Sequence, residues 1–214
     1  MKLTNRTFIL TTIFAIVIGL FYACSKDVKE TTAPAAGVSA SSSNNLVDGS
    51  GNTITTCGIP QVEPLTAGQT IPAGSVIIEN DADNIYVTYN TSDDWKLQEL
   101  HLSIDCNTNG DCTMAKSSDL APGKFPCKMV FNAGTDGPCG VNGLPATYTF
   151  TISRATLGSC TCYCVYPHAV VVRCSNGTVA ETQTAWGGSV SRITNGKWYG
   201  GTGYCLQECG DLGK

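Results

Sequence analysis

Basic clusters are missing from this chain, as are helical periodicity and the common catalytic signatures. Its 13 Lys and Arg residues are scattered against 17 acidic ones. Without a basic run, a nucleic-acid partner and an electrostatic hold on anionic lipid are both disfavoured. Apolar residues at helical spacing are almost absent, so amphipathic helices are not expected. There is no GxSxG, no HxH or HExxH, no phosphate-binding glycine loop and no Ser/His/Asp order. These gaps leave an enzyme without a motif to support it. What is abundant is cysteine, with 12, glycine, with 23, and short alternating apolar runs.

Lys2 and Arg6 make a basic start, and Phe8 to Phe21 is an uncharged apolar run. That run is too short to span a bilayer comfortably, where about 20 residues are needed. It reads as a secretory signal rather than a transmembrane anchor. Ala23 directly before Cys24 reads as a lipoprotein cleavage site, with Cys24 the acylated first residue of the mature chain. Residues 1–23 are thus a lipoprotein signal peptide. Their removal takes Lys2 and Arg6 from the 13 basic residues, leaving 11 against 17 acidic ones, a net of −6. Ser25-Lys26-Asp27, followed by Lys29-Glu30, resembles the charged signal that sends lipoproteins of Bacteroidetes-type bacteria to the outer face of the outer membrane. The implied address is the cell exterior, with the inner face of that membrane as the alternative.

Cys24 apart, eleven cysteines remain, and in an exported protein they read as a disulfide framework. An odd number leaves one thiol over, either buried or bonded to a second chain as a disulfide-linked dimer. Pairings are not fixed by sequence. Cys106–Cys112 is locally suggestive because the intervening Asn-Thr-Asn-Gly-Asp is a natural turn.

Residues 24–56 comprise the lipidated Cys24 and a Ser-, Thr-, Ala- and Asn-rich stretch with too little apolar surface to fold. It reads as a flexible linker, which places one disulfide-stapled domain at 57–214. There the stretch Ser159–Cys174 stands out. Read as a strand, it puts Cys160, Cys162, Cys164, Tyr166, His168, Val170, Val172 and Cys174 on one face. Both faces are apolar enough for a central strand.

Further strands are expected at Val76–Glu79, Ile85–Tyr89, Trp95–Ile104, Thr147–Ile152, Val179–Trp186 and Lys197–Cys205. In the third of these, strict alternation puts Leu100, Leu102 and Ile104 on one side and Trp95, Leu97, Glu99 and His101 on the other. Turns fall at Asn80–Asn84 and Ser175-Asn176-Gly177. About eight strands with Gly- and Pro-rich connections argue for an all-β fold, an antiparallel β-sandwich, with a closed barrel as the alternative. Asp105 to Ala146, with four cysteines, reads as an irregular excursion pinned by disulfides.

Four constellations are candidates for function. Asp105-x-Asn107-x-Asn109-x-Asp111 resembles the first half of an EF-hand calcium loop, but Lys116 occupies the position of the bidentate Glu. Calcium and a structural turn both stay open. His101 with Glu99, and His168 with Glu181, would supply a two-His, one-carboxylate metal site if the fold brought them together. Cys160, Cys162 and Cys164 lack the spacing of a zinc knuckle and read as disulfide partners. Trp186, Trp198 and Tyr199 lie beside glycines near strand ends, where exposed rings would form a glycan-stacking platform and buried ones a core.

Several phrases taken together, among them Ile85-Tyr86-Val87-Thr88-Tyr89, Trp95–Leu102, Pro122–Pro126, Tyr148–Ile152, His168-Ala169-Val170 and Glu181–Trp186, resemble a family of extracellular domains in Bacteroidetes-type bacteria. The resemblance implies a secreted or anchored β-rich domain and brings no activity with it. The expectation is therefore a lipid-anchored outer-membrane surface protein acting as a non-enzymatic binding, adhesion or structural module for glycan or protein. A metal-dependent enzyme using His101 and His168 is the alternative.

Overall fold

The domain is built outward from β8 (Cys162–Ser175) in a computed structural model that describes residues 24–25, 46, 52–107, 112, 121–192 and 197–210. The expected signal peptide lies outside the described residues. Along one edge β8 pairs with β5 (Trp95–Cys106), from Trp95 opposite Arg173 to Cys106 opposite Tyr163. Its other edge is shared. β11 (Trp198–Cys205) covers Cys162 to Val165, and β9 (Thr178–Gly187) covers His168 to Ser175. Pro167, which has no N–H to give, sits where β11 yields to β9 and that edge has no ladder partner.

From β9 the sheet continues through β2 (Cys57–Ala67), β3 (Ile71–Asn80), β4 (Asn84–Thr91) and β7 (Thr147–Ser153) to the two-residue β1 (Cys24–Ser25). β6 (Cys127–Val130) extends β5, and β10 (Ser189–Arg192) extends β11. Every pairing is antiparallel. β2 and β9 meet over Leu65–Ala67 alone. Across this narrow join the β3–β4–β7 part lies against the β5–β8 part as the second layer of a sandwich. The sheet is open, not a barrel, because β1 pairs only with β7 and β6 only with β5.

Alternation decides what lies between the layers. Val76, Ile78, Ile85, Val87, Tyr89, Phe150 and Ile152 from one layer meet Leu100, Leu102, Val165, Ala169 and Val171 from the other. The Tyr89 hydroxyl crosses the core to donate to the His101 carbonyl at 2.9 Å. Asn176 and Gly177 both have positive φ, 50° and 75°, as a two-residue hairpin between Ser175 and Thr178 requires.

Strict alternation fails at one place in β5. Trp95 and Leu97 enter the same core as Leu100 and Leu102. The register shifts between Leu97 and Glu99, and this bulge absorbs one residue and reverses the parity. β2 is absent from the sequence expectations because Pro60 and Pro64 make it read as broken. Its register with β3 slips between Cys57 and Gln61, around Pro60. The Pro64 carbonyl accepts from Gly188 on the side away from β3, so the missing N–H also faces away from the β3 ladder. Within the expected linker, Cys24 and Ser25 pair with Ile152 and Thr151, and Leu46 is buried.

Five disulfides tie these layers together: Cys57–Cys209, Cys106–Cys160, Cys112–Cys164, Cys139–Cys174 and Cys162–Cys205. No described cysteine is free. The suggested Cys106–Cys112 bridge does not form. Cys106 ends β5, and the antiparallel register carries it to the start of β8, where Cys160 waits. The three alternating thiols thus bond to three different elements: the end of β5, β11 and the excursion. With all three in disulfides, a zinc knuckle is not what they form.

Non-reducing peptide mapping should recover Cys106–Cys160 and Cys112–Cys164 and no Cys106–Cys112 peptide. Replacing Cys162 and Cys205 together by Ala is expected to cost roughly 2–4 kcal/mol in denaturant unfolding. Leu100→Ala, in the fully buried centre of the core, should cost about 2–5 kcal/mol.

Candidate functional site

The face of β8 turned away from the main core is covered too. Cys164, Tyr166, Trp186, Tyr199 and Phe125 form a second, smaller apolar cluster, with Cys112 and Trp198 packed against it. Phe125 meets Trp186 edge-on at 6.1 Å. Of the two readings that the sequence leaves open, an exposed platform or a packed core, the rings here form a core. Trp186 and Tyr199 are only 4% and 5% exposed, and Trp198 is half-buried. Their rings turn inward because β8 is apolar on both faces and needs a cover on each. A sugar cannot stack on rings already occupied by Phe125 and Tyr166. Gly201 serves the same packing, since a Cβ there would stand 2.7 Å from the Tyr166 ring.

A polar row crosses this covered face. His101 of β5 lies opposite His168 of β8, and His168 opposite Trp186 of β9. The two Nδ1 atoms are 3.3 Å apart, and Glu99 Oε1 lies 3.1 Å from His101 Nε2. Both histidines are buried. Burial, and then the neighbouring His101, pushes His168 down to about 3. Burial also lowers His101, with Glu99 working against the shift and Lys128, opposite on β6, working with it.

Both rings are therefore neutral near pH 7, and hydrogen bonding assigns their protons. His101 donates from Nε2 to Glu99 and accepts at Nδ1, and His168 donates from Nδ1. His168 then packs its ring edge-on against Trp186 at 4.7 Å.

Of the residues expected at a metal site, the fold unites His101, His168 and Glu99 and sends Glu181 elsewhere, to Arg173 at 3.1 Å. Glu99 meets the outer nitrogen of His101 and orients that ring. No group of three or more His, Cys, Asp or Glu suited to a metal occurs among the described residues.

In the calcium-like loop, Asp105 is exposed at the end of β5 and accepts from Ser103. Asn107 donates toward Cys112 Sγ, and its Oδ1 is buried without a partner among the described residues. Asn109 and Asp111 lie outside the described residues.

The sequence reading missed a cleft of about 320 Å³ at one end of the sandwich. One wall is the β3–β4 turn, where Asp81 accepts from the amides of Asp83 and Asn84 and from the Tyr86 hydroxyl. Burial alone would raise Asp81, but these donors outweigh it and hold the carboxyl below its ordinary value. The other wall is the Gly158–Thr161 segment, pinned by Cys106–Cys160 and by the Tyr163 hydroxyl on the Cys160 carbonyl at 2.6 Å. Arg154 stands between the walls. Its amide donates to the Asp83 carbonyl at 2.8 Å, and its Nη1 reaches the carbonyls of Asp81 and Ala82 at 3.3 and 2.5 Å. Nothing local to residue 154 marks it in the sequence. The β4–β7 register, with Asn84 opposite Ser153, brings it beside the turn.

No family model, curated protein or solved structure matches this chain.

The histidine pair makes a signed prediction. Both folded-state pKa values lie below the ordinary 6.5, so between about pH 6.5 and 3 the unfolded chain binds more protons than the folded one. Stability from the neutral pair is complete above about pH 6.5 and is lost as pH falls toward 3. Urea midpoints measured from pH 7 to pH 4 should therefore decline. His168→Asn should lower the midpoint at pH 7 and flatten that decline.

Proposed function

We propose that this chain is a surface lipoprotein, acylated on Cys24 and held at the outer face of an outer membrane, whose disulfide-stapled sandwich is a non-enzymatic binding module. The observation that carries this reading is the cross-linking. Five disulfides join β2 to the C-terminal segment, the end of β5 to the start of β8, β8 to β11, and β8 to two points of the excursion. Such a framework belongs to an oxidising exterior. It also holds surface features such as the Arg154 cleft rigid, which lowers the ordering cost of binding. The partner is a glycan or a surface protein, met outside the aromatic cluster because that cluster is filled.

The alternative of a metal-dependent enzyme using His101 and His168 is favoured by one distance. The 3.3 Å between the Nδ1 atoms would also suit two ligands on one tetrahedral ion. In the binding-module reading that gap holds a shared hydrogen bond.

Two measurements bear on these readings. Metabolic labelling with palmitate should mark the wild-type chain and not Cys24→Ala, and protease added to intact cells should digest the wild-type domain. Unlabelled wild-type protein, or protection from the protease until cells are lysed, would remove the surface-lipoprotein reading. Native mass spectrometry of the exported domain should give the same mass before and after EDTA. A metal lost on chelation, and lost also in His168→Ala, would favour the enzyme.

A further inference from the structure

The Arg154 cleft combines three features. First, it is concave, at about 320 Å³, the small end of the range for ligand pockets. Second, its charge is positioned without a countercharge. Arg154 is half-buried, its guanidinium is fixed through Nη1 to two main-chain carbonyls, and no described carboxylate comes within ion-pair range of it. A guanidinium presents five donors in a planar fork, and two carbonyls on one nitrogen leave an edge of that fork for a carboxylate. Third, the rest of the rim is polar and hydroxyl-rich: Ser153, Ser159 and Thr161 with the exposed Asp83.

Hydroxyls that both donate and accept, beside an acid that only accepts, match a polyhydroxylated ring. A simple anion would leave Asp83 and the hydroxyls unused. Both walls are held before any ligand arrives, by the Asp81 turn on one side and Cys106–Cys160 on the other.

We infer that this cleft binds an acidic saccharide. The ligand's carboxylate lies against the free edge of Arg154, and its ring hydroxyls are shared among Asp83, Ser159 and Thr161. The inference rests on the binding-module reading and gives it a ligand class and a place. It also accounts for an Arg turned into a cleft of a protein whose mature charge is negative. One fixed cation, with no basic patch around it, selects a single carboxylate and does not attract polyanions in general.

The test uses the full mature chain, exported so that its disulfides form, and titrates three probes by calorimetry: trigalacturonate, neutral galactotriose and acetate. Trigalacturonate should bind at least about tenfold more tightly than either of the others. Arg154→Gln should abolish that preference and Arg154→Lys restore part of it. Arg154 also braces the β3–β4 turn, so a second variant leaves its contacts alone. Ser159→Trp, at an exposed rim position, should block binding while the thermal midpoint stays within a few degrees of wild type.

Equal affinity for the neutral sugar overturns the acidic assignment, and equal affinity for acetate overturns the saccharide. Undiminished binding in a folded Ser159→Trp overturns the location. If trigalacturonate fails while another glycan or a surface protein binds wild type and Arg154→Gln alike, the cleft is wrong and the binding-module reading stands.

Discussion

β8 is apolar on both faces, and a strand of that kind is stable only if something covers each face. On one side the cover is ample. β3, β4 and β7 bring a layer of Val, Ile, Tyr and Phe that buries Tyr163, Val165, Ala169 and Val171. On the other side the cover is thin, being Phe125, Trp186 and Tyr199 with parts of the excursion. A cluster this small supplies limited hydrophobic stabilisation. The cysteines concentrate where that shortfall lies. Cys162, Cys164 and Cys174 on β8 each bond to an element at that strand's periphery: β11, the segment at Cys112 and the loop at Cys139. Cross-links that restrict the unfolded chain do there what a larger core does elsewhere.

The same constraint explains the histidines and the tryptophans. A row of side chains beneath a thin cover must be apolar or must satisfy itself. His101 and His168 satisfy each other, with Glu99 at the end of the row and Trp186 against the far ring. Two neutral imidazoles in series need no counterion, which suits a site that burial keeps uncharged. The arrangement is local to adjacent strands and follows from register alone, since His101 and His168 are direct cross-strand partners.

Much of this was legible in the residues. The alternation of Tyr148, Phe150 and Ile152 against three threonines placed β7 and its inward face. The Asn80–Asn84 and Ser175–Gly177 turns were marked by their chemistry, and the two apolar faces of β8 marked it as central. Other features were not legible, for identifiable reasons. Alternation cannot announce a bulge, so Trp95 and Leu97 were set on the wrong side of β5. Two prolines disguised β2, whose tolerance for Pro64 depends on which edge faces a neighbour. Trp186 and Tyr199, beside glycines, could be read as exposed or as core, and only the cover over β8 shows them to be core.

Sequence by itself determined the β-rich class, the central strand and the need for cross-links, because these follow from local pattern and composition. Tertiary structure decided which sulfur meets which, which aromatics are buried, that the histidines touch, and that Arg154 lies in a cleft. Each of those is a distance between residues far apart in the chain. Distances of that kind are set by strand register and by the folding of one sheet over itself, and no short stretch of sequence carries them.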